Sequence, residues 1–221
     1  MFPFSFFKKL FHFLYWVFWD LKNPREKYPF GLWIFVGLYG EGKTLSMVEY
    51  LERARIEFPN VKIATNFEYK HRDYKIQSID DIINLSSPNG VIFAIDEFQQ
   101  SFYSKEWASL DLDFLRLLTQ NRKEHKQIIC TSQDFELVIK DIRRLFYYII
   151  EVKNFAGRWV WQRAFRGRDF NLGVDGVYNR RQRAWRYNFV ASNDLFALYD
   201  TYETLQGIKR RFSAAKKGSE A

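Results

Sequence analysis

Residues 37–44 read GLYGEGKT, in which Gly37, Gly42, Lys43 and Thr44 satisfy the spacing G-x-x-x-x-G-K-[ST]. Each residue type in that run has a phosphate chemistry. Glycines let the backbone fold tightly, so that successive N–H groups and the start of the following helix face anionic oxygens. The Lys43 ammonium would reach the β- and γ-phosphates of a nucleotide, and the Thr44 hydroxyl would ligate Mg²⁺. The candidate nucleotide-contacting residues are Gly37, Leu38, Tyr39, Gly40, Glu41, Gly42, Lys43, Thr44 and Leu45.

A second run, VIFAIDE at 91–97, is an apolar strand ending in two acids. Asp96 is placed to bind Mg²⁺, directly or through water. Glu97 is placed to polarise the water that attacks a γ-phosphate. The apolar run Ile128–Thr131 leads into Ser132-Gln133. If that strand lies between the first and the third, the Gln133 amide comes beside the γ-phosphate, where it could orient water or report the phosphate state.

These residues need a frame of alternating strands and helices. Gly31–Val36 reads as a buried strand and Thr44–Glu57 as a helix with Leu45, Val48, Leu51 and Ala54 on one face. Val61–Asn66 reads as a second strand, Ile79–Leu85 as a short helix and Val91–Ile95 as a third strand. The pattern continues with a helix over 110–123, a strand over 127–131, a helix over 134–145 and a strand over 147–152. Such a rhythm predicts an α/β fold with a mainly parallel sheet covered on both faces. From Arg158 the rhythm changes. The runs 158–165 and 183–190 alternate as antiparallel strands do, with the turn-rich Gly173-Val174-Asp175-Gly176 between them. Three parts follow: an N-terminal segment and linker over 1–27, a P-loop core over 28–155, and a β extension with its tail over 156–221.

The chain has 221 residues, enough for one α/β domain with appendages and a full core. Its single cysteine, Cys130, excludes an intrachain disulfide and a multi-cysteine zinc site. The formal net charge of +8 favours anionic partners, either nucleic acid or an acidic membrane surface. Much of that charge is concentrated in the extension. Arg158, Arg163, Arg166, Arg168, Arg180, Arg181, Arg183 and Arg186 interleave there with Trp159, Trp161, Phe165, Tyr178, Trp185 and Tyr187. Guanidinium groups pair with phosphates and aromatic faces stack on unpaired bases, so the extension reads as a DNA surface. A hairpin whose arginines meet acids on a neighbouring subunit is the alternative.

Residues 1–22, MFPFSFFKKLFHFLYWVFWDLK, have no small-residue cleavage site after them. Their uncharged stretch is about half the roughly 20 residues that a membrane-spanning helix needs. As a helix they carry Lys8, His12 and Tyr15 on one stripe, with Phe4, Phe7, Phe11, Leu14, Phe18 and Leu21 opposite. That pattern fits an in-plane anchor on the inner-membrane surface, a docking helix for a membrane protein or neighbouring subunit, or a helix packed on its own domain.

The P-loop strand, the strand ending Ala64-Thr65-Asn66, the Asp96-Glu97 pair and Gln133 together resemble zonular occludens toxin-like ATPases of the FtsK/HerA group. The resemblance covers roughly residues 31–153. It implies an additional-strand, RecA/FtsK-like P-loop fold, ATP and Mg²⁺ as cofactors, and a homo-oligomeric ring whose sites lie between subunits. It also implies an arginine offered by the neighbour to the γ-phosphate, with Arg122 the first candidate and Arg143 or Arg144 the second. Phage relatives use such an ATPase at the inner membrane for virion assembly and export. The expected function is a hydrolysing motor for phage or plasmid DNA, in the cytoplasm or peripheral on the cytoplasmic face of the membrane. The competing functions are a membrane-docked assembly ATPase that moves no DNA and a small-molecule P-loop kinase.

Overall fold

A computed structural model describes residues 3–23, 27–98, 123–135, 138, 143, 145–167 and 183–200. The helix expected over 110–123 lies almost wholly outside these residues, as do the turn at 173–176 and most of 134–145.

Helix α1 (Pro3–Lys22) comes first, and every described side chain from Phe6 to Lys22 is exposed. The core then alternates β1 (Gly31–Val36), α2 (Lys43–Glu57), β2 (Lys62–Thr65), β3 (Glu68–Tyr69), β4 (Tyr74–Lys75), α3 (Ile79–Asn84) and β5 (Val91–Ile95). After them come β6 (Lys126–Ser132), β7 (Tyr148–Phe155), β8 (Trp159–Arg166), β9 (Arg183–Val190), α4 (Asn193–Phe196) and β10 (Tyr199–Asp200). Eight strands form one sheet in the order β4-β2-β5-β6-β1-β7-β8-β9. The pairs from β4 to β7 are parallel, and β7/β8 and β8/β9 are antiparallel.

Strand β6 therefore sits between β1 and β5, as the reading of Gln133 required. All five residues of β5 and all seven of β6 are buried, because strands inside a parallel sheet are covered on both faces. Alternation divides their side chains. Phe35, Ile63, Ile92 and Ile129 meet Leu45, Val48 and Leu51 of α2. Ile34, Phe93, Ile128 and Cys130 face the other way, toward Ile82 of α3, Phe135 and Phe146. Full burial of one such side chain stabilises the fold by roughly 1.5–3 kcal/mol. Buried Lys126 donates to the Ile82 and Ile83 carbonyls at 3.2 and 2.7 Å, which satisfies carbonyls in the last turn of α3.

The extension continues this sheet. Strand β8 pairs with β7 along its whole length, from Tyr148↔Arg166 to Phe155↔Trp159. Strand β9 adds outside it, and its inner face reaches α2. The Tyr187 hydroxyl donates to Glu49 Oε1 at 2.7 Å, and the Arg53 guanidinium lies 4.2 Å from the Tyr187 ring centroid. A separate two-stranded sheet pairs β10 with β3.

Candidate active site

The loop between β1 and α2 has the backbone that its glycines permit. Gly40 and Gly42 have φ of 77° and 81°, a region that side-chain-bearing residues rarely adopt. Gly37 does not have a positive φ, but a Cβ there would lie 2.6 Å from Glu41 Oε2 and 2.9 Å from the Val152 carbonyl oxygen. The loop thus excludes side chains by conformation at two positions and by contact at a third. Helix α2 begins as Ser46 N–H donates to the Gly42 carbonyl at 2.8 Å.

Within the loop, Leu38 N–H donates to Glu41 Oε2 at 2.6 Å. Lys43 Nζ donates to the Leu38 carbonyl at 3.0 Å and lies 5.8 Å from the Tyr39 ring centroid. Burial lowers the Lys43 pKa from its ordinary value, against the opposing pull of Asp96, Glu97 and Glu41. Leu38 and Tyr39 expose their side chains. Leu45 buries its side chain under the sheet, so only its backbone borders the loop.

Asp96 lies just beyond β5 and is almost fully buried. Its Oδ1 accepts the Thr44 hydroxyl at 2.9 Å and the Thr131 hydroxyl at 2.6 Å. Asn66 holds its backbone from both sides, accepting the Asp96 N–H at 2.7 Å and donating to the Asp96 carbonyl at 3.0 Å. Burial raises the Asp96 pKa, while the Thr131 and Thr44 bonds and the Lys43 charge work against that rise. A buried carboxylate of this kind is stabilised by a cation.

Glu97 follows with φ 49°, left-handed for a residue with a side chain. That conformation costs about 1–2 kcal/mol, and the Glu97 N–H bond to Thr131 Oγ1 at 2.8 Å helps hold it. Gln133 is half-buried, one residue past the Val36–Ser132 pair and hence level with Gly37. Lys43, Thr44, Asp96, Glu97 and Gln133 are thus gathered at the carboxyl ends of β1, β5 and β6, where open parallel sheets bind ligands.

Arg122 and Arg144 lie outside the described residues. Arg143 Nε donates to the Val138 carbonyl at 2.6 Å, within its own chain. The sequence reading missed the parts played by Asn66 and Thr131, although both stand at strand ends beside the motifs. It also missed the floor of the loop. A Cβ on Gly42 would lie 3.4 Å from Val160 Cγ2 and 3.6 Å from Asn154 Nδ2, so the loop rests on β7 and β8.

The oxygen donors fit Mg²⁺, which binds through one or two carboxylates together with waters and substrate phosphates. Thr44 and Asp96 supply a hydroxyl and a single carboxylate side by side. Among the described residues no cluster of three or more histidine, cysteine or acidic side chains offers a different kind of metal site.

No family model matches the chain, and no curated protein does. Solved structures do match. The DNA-packaging ATPase from Sulfolobus Turreted Icosahedral Virus aligns with a TM-score of 0.49 and 10% identity, over 76% of this chain and 100% of that one. The flagellar accessory protein FlaH from Methanocaldococcus jannaschii gives 0.43 and 11%, over 78% of this chain and 90% of that one. The N-terminal domain of zonular occludens toxin from Neisseria meningitidis gives 0.58 and 17%, over 79% of this chain and 100% of that one. This chain therefore shares the fold of that toxin domain, a P-loop NTPase fold built on a central, mainly parallel sheet.

Proposed function

We propose that this chain is an ATP-hydrolysing motor that acts on DNA, in packaging, export or virion assembly. The observation that carries the reading is the hydroxyl–carboxylate link from Thr44 of the P-loop to Asp96, with Glu97 adjoining it. In this reading the loop N–H groups and Lys43 neutralise the triphosphate, Glu97 polarises the attacking water and Gln133 orients it. Thr44 and Asp96 would hold Mg²⁺, which supplies positive charge to the phosphates when bound. The protein would work as a homo-oligomeric ring with an arginine from the neighbour at each site. Arg122 is the favoured residue, since Arg143 is engaged in its own subunit. The fold shared with the toxin domain supports the P-loop part of this reading.

ATP turnover with and without DNA, at low and high salt, tests this. The expected result is turnover abolished by Lys43→Ala and stimulated by DNA, with the stimulation fading as salt rises. Transfer of phosphate to a small acceptor would replace the motor with a kinase. Turnover indifferent to DNA would leave an assembly ATPase.

Helix α1 favours one further role, docking at a membrane surface. Its aromatic side chains from Phe6 to Trp19 are exposed, Lys8, Lys9 and Lys22 accompany them, and Trp16 and Trp19 suit headgroup depth. No helix among the described residues is long and apolar enough to cross a membrane.

A further inference from the structure

Strands β7, β8 and β9 present an outer face that no described residue covers at Trp159 and Trp161. Three rows cross it, as the pairing register dictates: Phe155–Trp159–Val190, Lys153–Trp161–Asn188 and Glu151–Arg163–Arg186. Trp159 and Trp161 are 41% and 45% exposed, and their ring centroids are 5.1 Å apart. These indoles stand on paired strands, and Trp159 Nε1 donates to Asn188 Oδ1 at 3.2 Å, which fixes its ring. The face borders a groove of about 600 Å³ lined by Lys153, Phe155, Trp161, Arg163, Arg183 and Arg186, among others.

The charge on these strands is one-sided. Glu151 is their only acid, and it is bound to Arg163 at 2.9 Å. Lys153, Arg183 and Arg186 remain to meet an anionic partner, and they flank the exposed indoles. Phosphate alone would be served by the cations, and a purely apolar partner would be opposed by them. A chain that alternates phosphates with flat apolar rings satisfies both. In a duplex those rings are stacked on one another and closed to an indole on the sheet surface. In a single strand they are open, and base–aromatic stacking works for every base.

We propose that this face binds single-stranded nucleic acid, with bases stacked on Trp159 and Trp161 and phosphates paired with Lys153, Arg183 and Arg186. The proposal rests on the reading of the chain as a DNA motor and narrows it to unpaired substrate. Binding through stacking and phosphate contacts carries little sequence preference and falls as salt rises.

The test uses the full chain and a fluorescent oligothymidylate of about 16 nucleotides, the upper end of single-strand site sizes. Anisotropy measures its binding, and a mixed-sequence duplex of equal length is the competitor. The single strand should bind at least tenfold more tightly than the duplex. Trp159→Leu/Trp161→Leu should weaken single-strand binding by about tenfold or more, with basal ATP turnover unchanged. Arg186→Ala should weaken it and flatten its salt dependence. Duplex binding as tight as single-strand binding, or a tryptophan double variant that binds the single strand normally, would overturn the proposal. So would a double variant whose only change is a smaller oligomer by light scattering, because the face would then be a subunit contact. The motor reading is scored separately: Lys43-dependent turnover stimulated only by duplex keeps the motor and removes this inference. If neither form binds or stimulates, both are lost.

Discussion

The Thr131 hydroxyl donates to Asp96 Oδ1 at 2.6 Å and accepts the Glu97 N–H at 2.8 Å, so one side chain on β6 ties down both acids at the end of β5. Thr131→Val keeps the shape and removes both bonds. Loss of partners for buried polar groups should cost about 1–3 kcal/mol in urea unfolding. ATP turnover should fall by about tenfold or more, because Glu97 loses a bond that supports its left-handed backbone. Thr131→Ser should recover most of both. Normal turnover in the valine variant would show that Thr131 does not position the acids.

Glu41 places a carboxylate on a loop N–H of the kind that phosphate oxygens would use. Glu41→Gln removes an anion that repels the triphosphate. Affinity for a fluorescent ATP analogue should rise about fivefold at low salt, or roughly 1 kcal/mol, and the gain should shrink in high salt. Unchanged or weaker binding would assign the carboxylate to holding the loop's shape.

Glu52 on α2 bonds to the Tyr69 hydroxyl and to His71, joining the helix to the β3 region. Burial pushes its pKa up, but those bonds and the charges of His71 and Arg55 outweigh it and leave Glu52 below its ordinary 4.5. A carboxyl lowered in the folded state stabilises it above the unfolded value and loses that contribution as pH falls through the folded one. Glu52→Gln should therefore lower the urea midpoint at neutral pH. The gap to the parent should close as pH drops below 4.5. A gap independent of pH would mean that the loss is one of packing.

Flotation with anionic vesicles tests α1. The full chain should float, and a chain lacking residues 1–22 should stay behind with its basal ATP turnover intact. Neutral vesicles should capture less of the full chain, since Lys8, Lys9 and Lys22 contribute only against negative lipid. Equal flotation of both proteins would remove α1 as the anchor.

Much of this layout was legible because it is written locally. The P-loop needs glycine where φ is positive, so Gly40 and Gly42 declare the loop in the sequence itself. The apolar run of β5 declares the strand that carries Asp96. Strand order was legible only conditionally, since Gln133 mattered only if β6 entered between β1 and β5, and it does. What stayed hidden are contacts across long sequence separations that use ordinary residue types. Thr131 to Asp96, Asn66 to Asp96 and Tyr187 to Glu49 span 35, 30 and 138 positions. A threonine at the end of a strand gives no local sign of which carboxylate it will meet. In the sequence the arginines of the extension form one charged set, whereas in the fold Arg158 and Arg163 are bound within the chain, to Asn193 and Glu151.

Strand β8 turns Val160 toward Gly42 and its neighbours Trp159 and Trp161 to the opposite side. The thickness of one strand separates the loop from the exposed indoles. Force applied to Trp161 would reach the underside of the loop with no hinge or linker between, and a shift of the loop would press back on the same strand. Severing the chain at the Ala156-Gly157 turn would therefore not free a smaller working engine. It would take away the plate on which the engine is mounted.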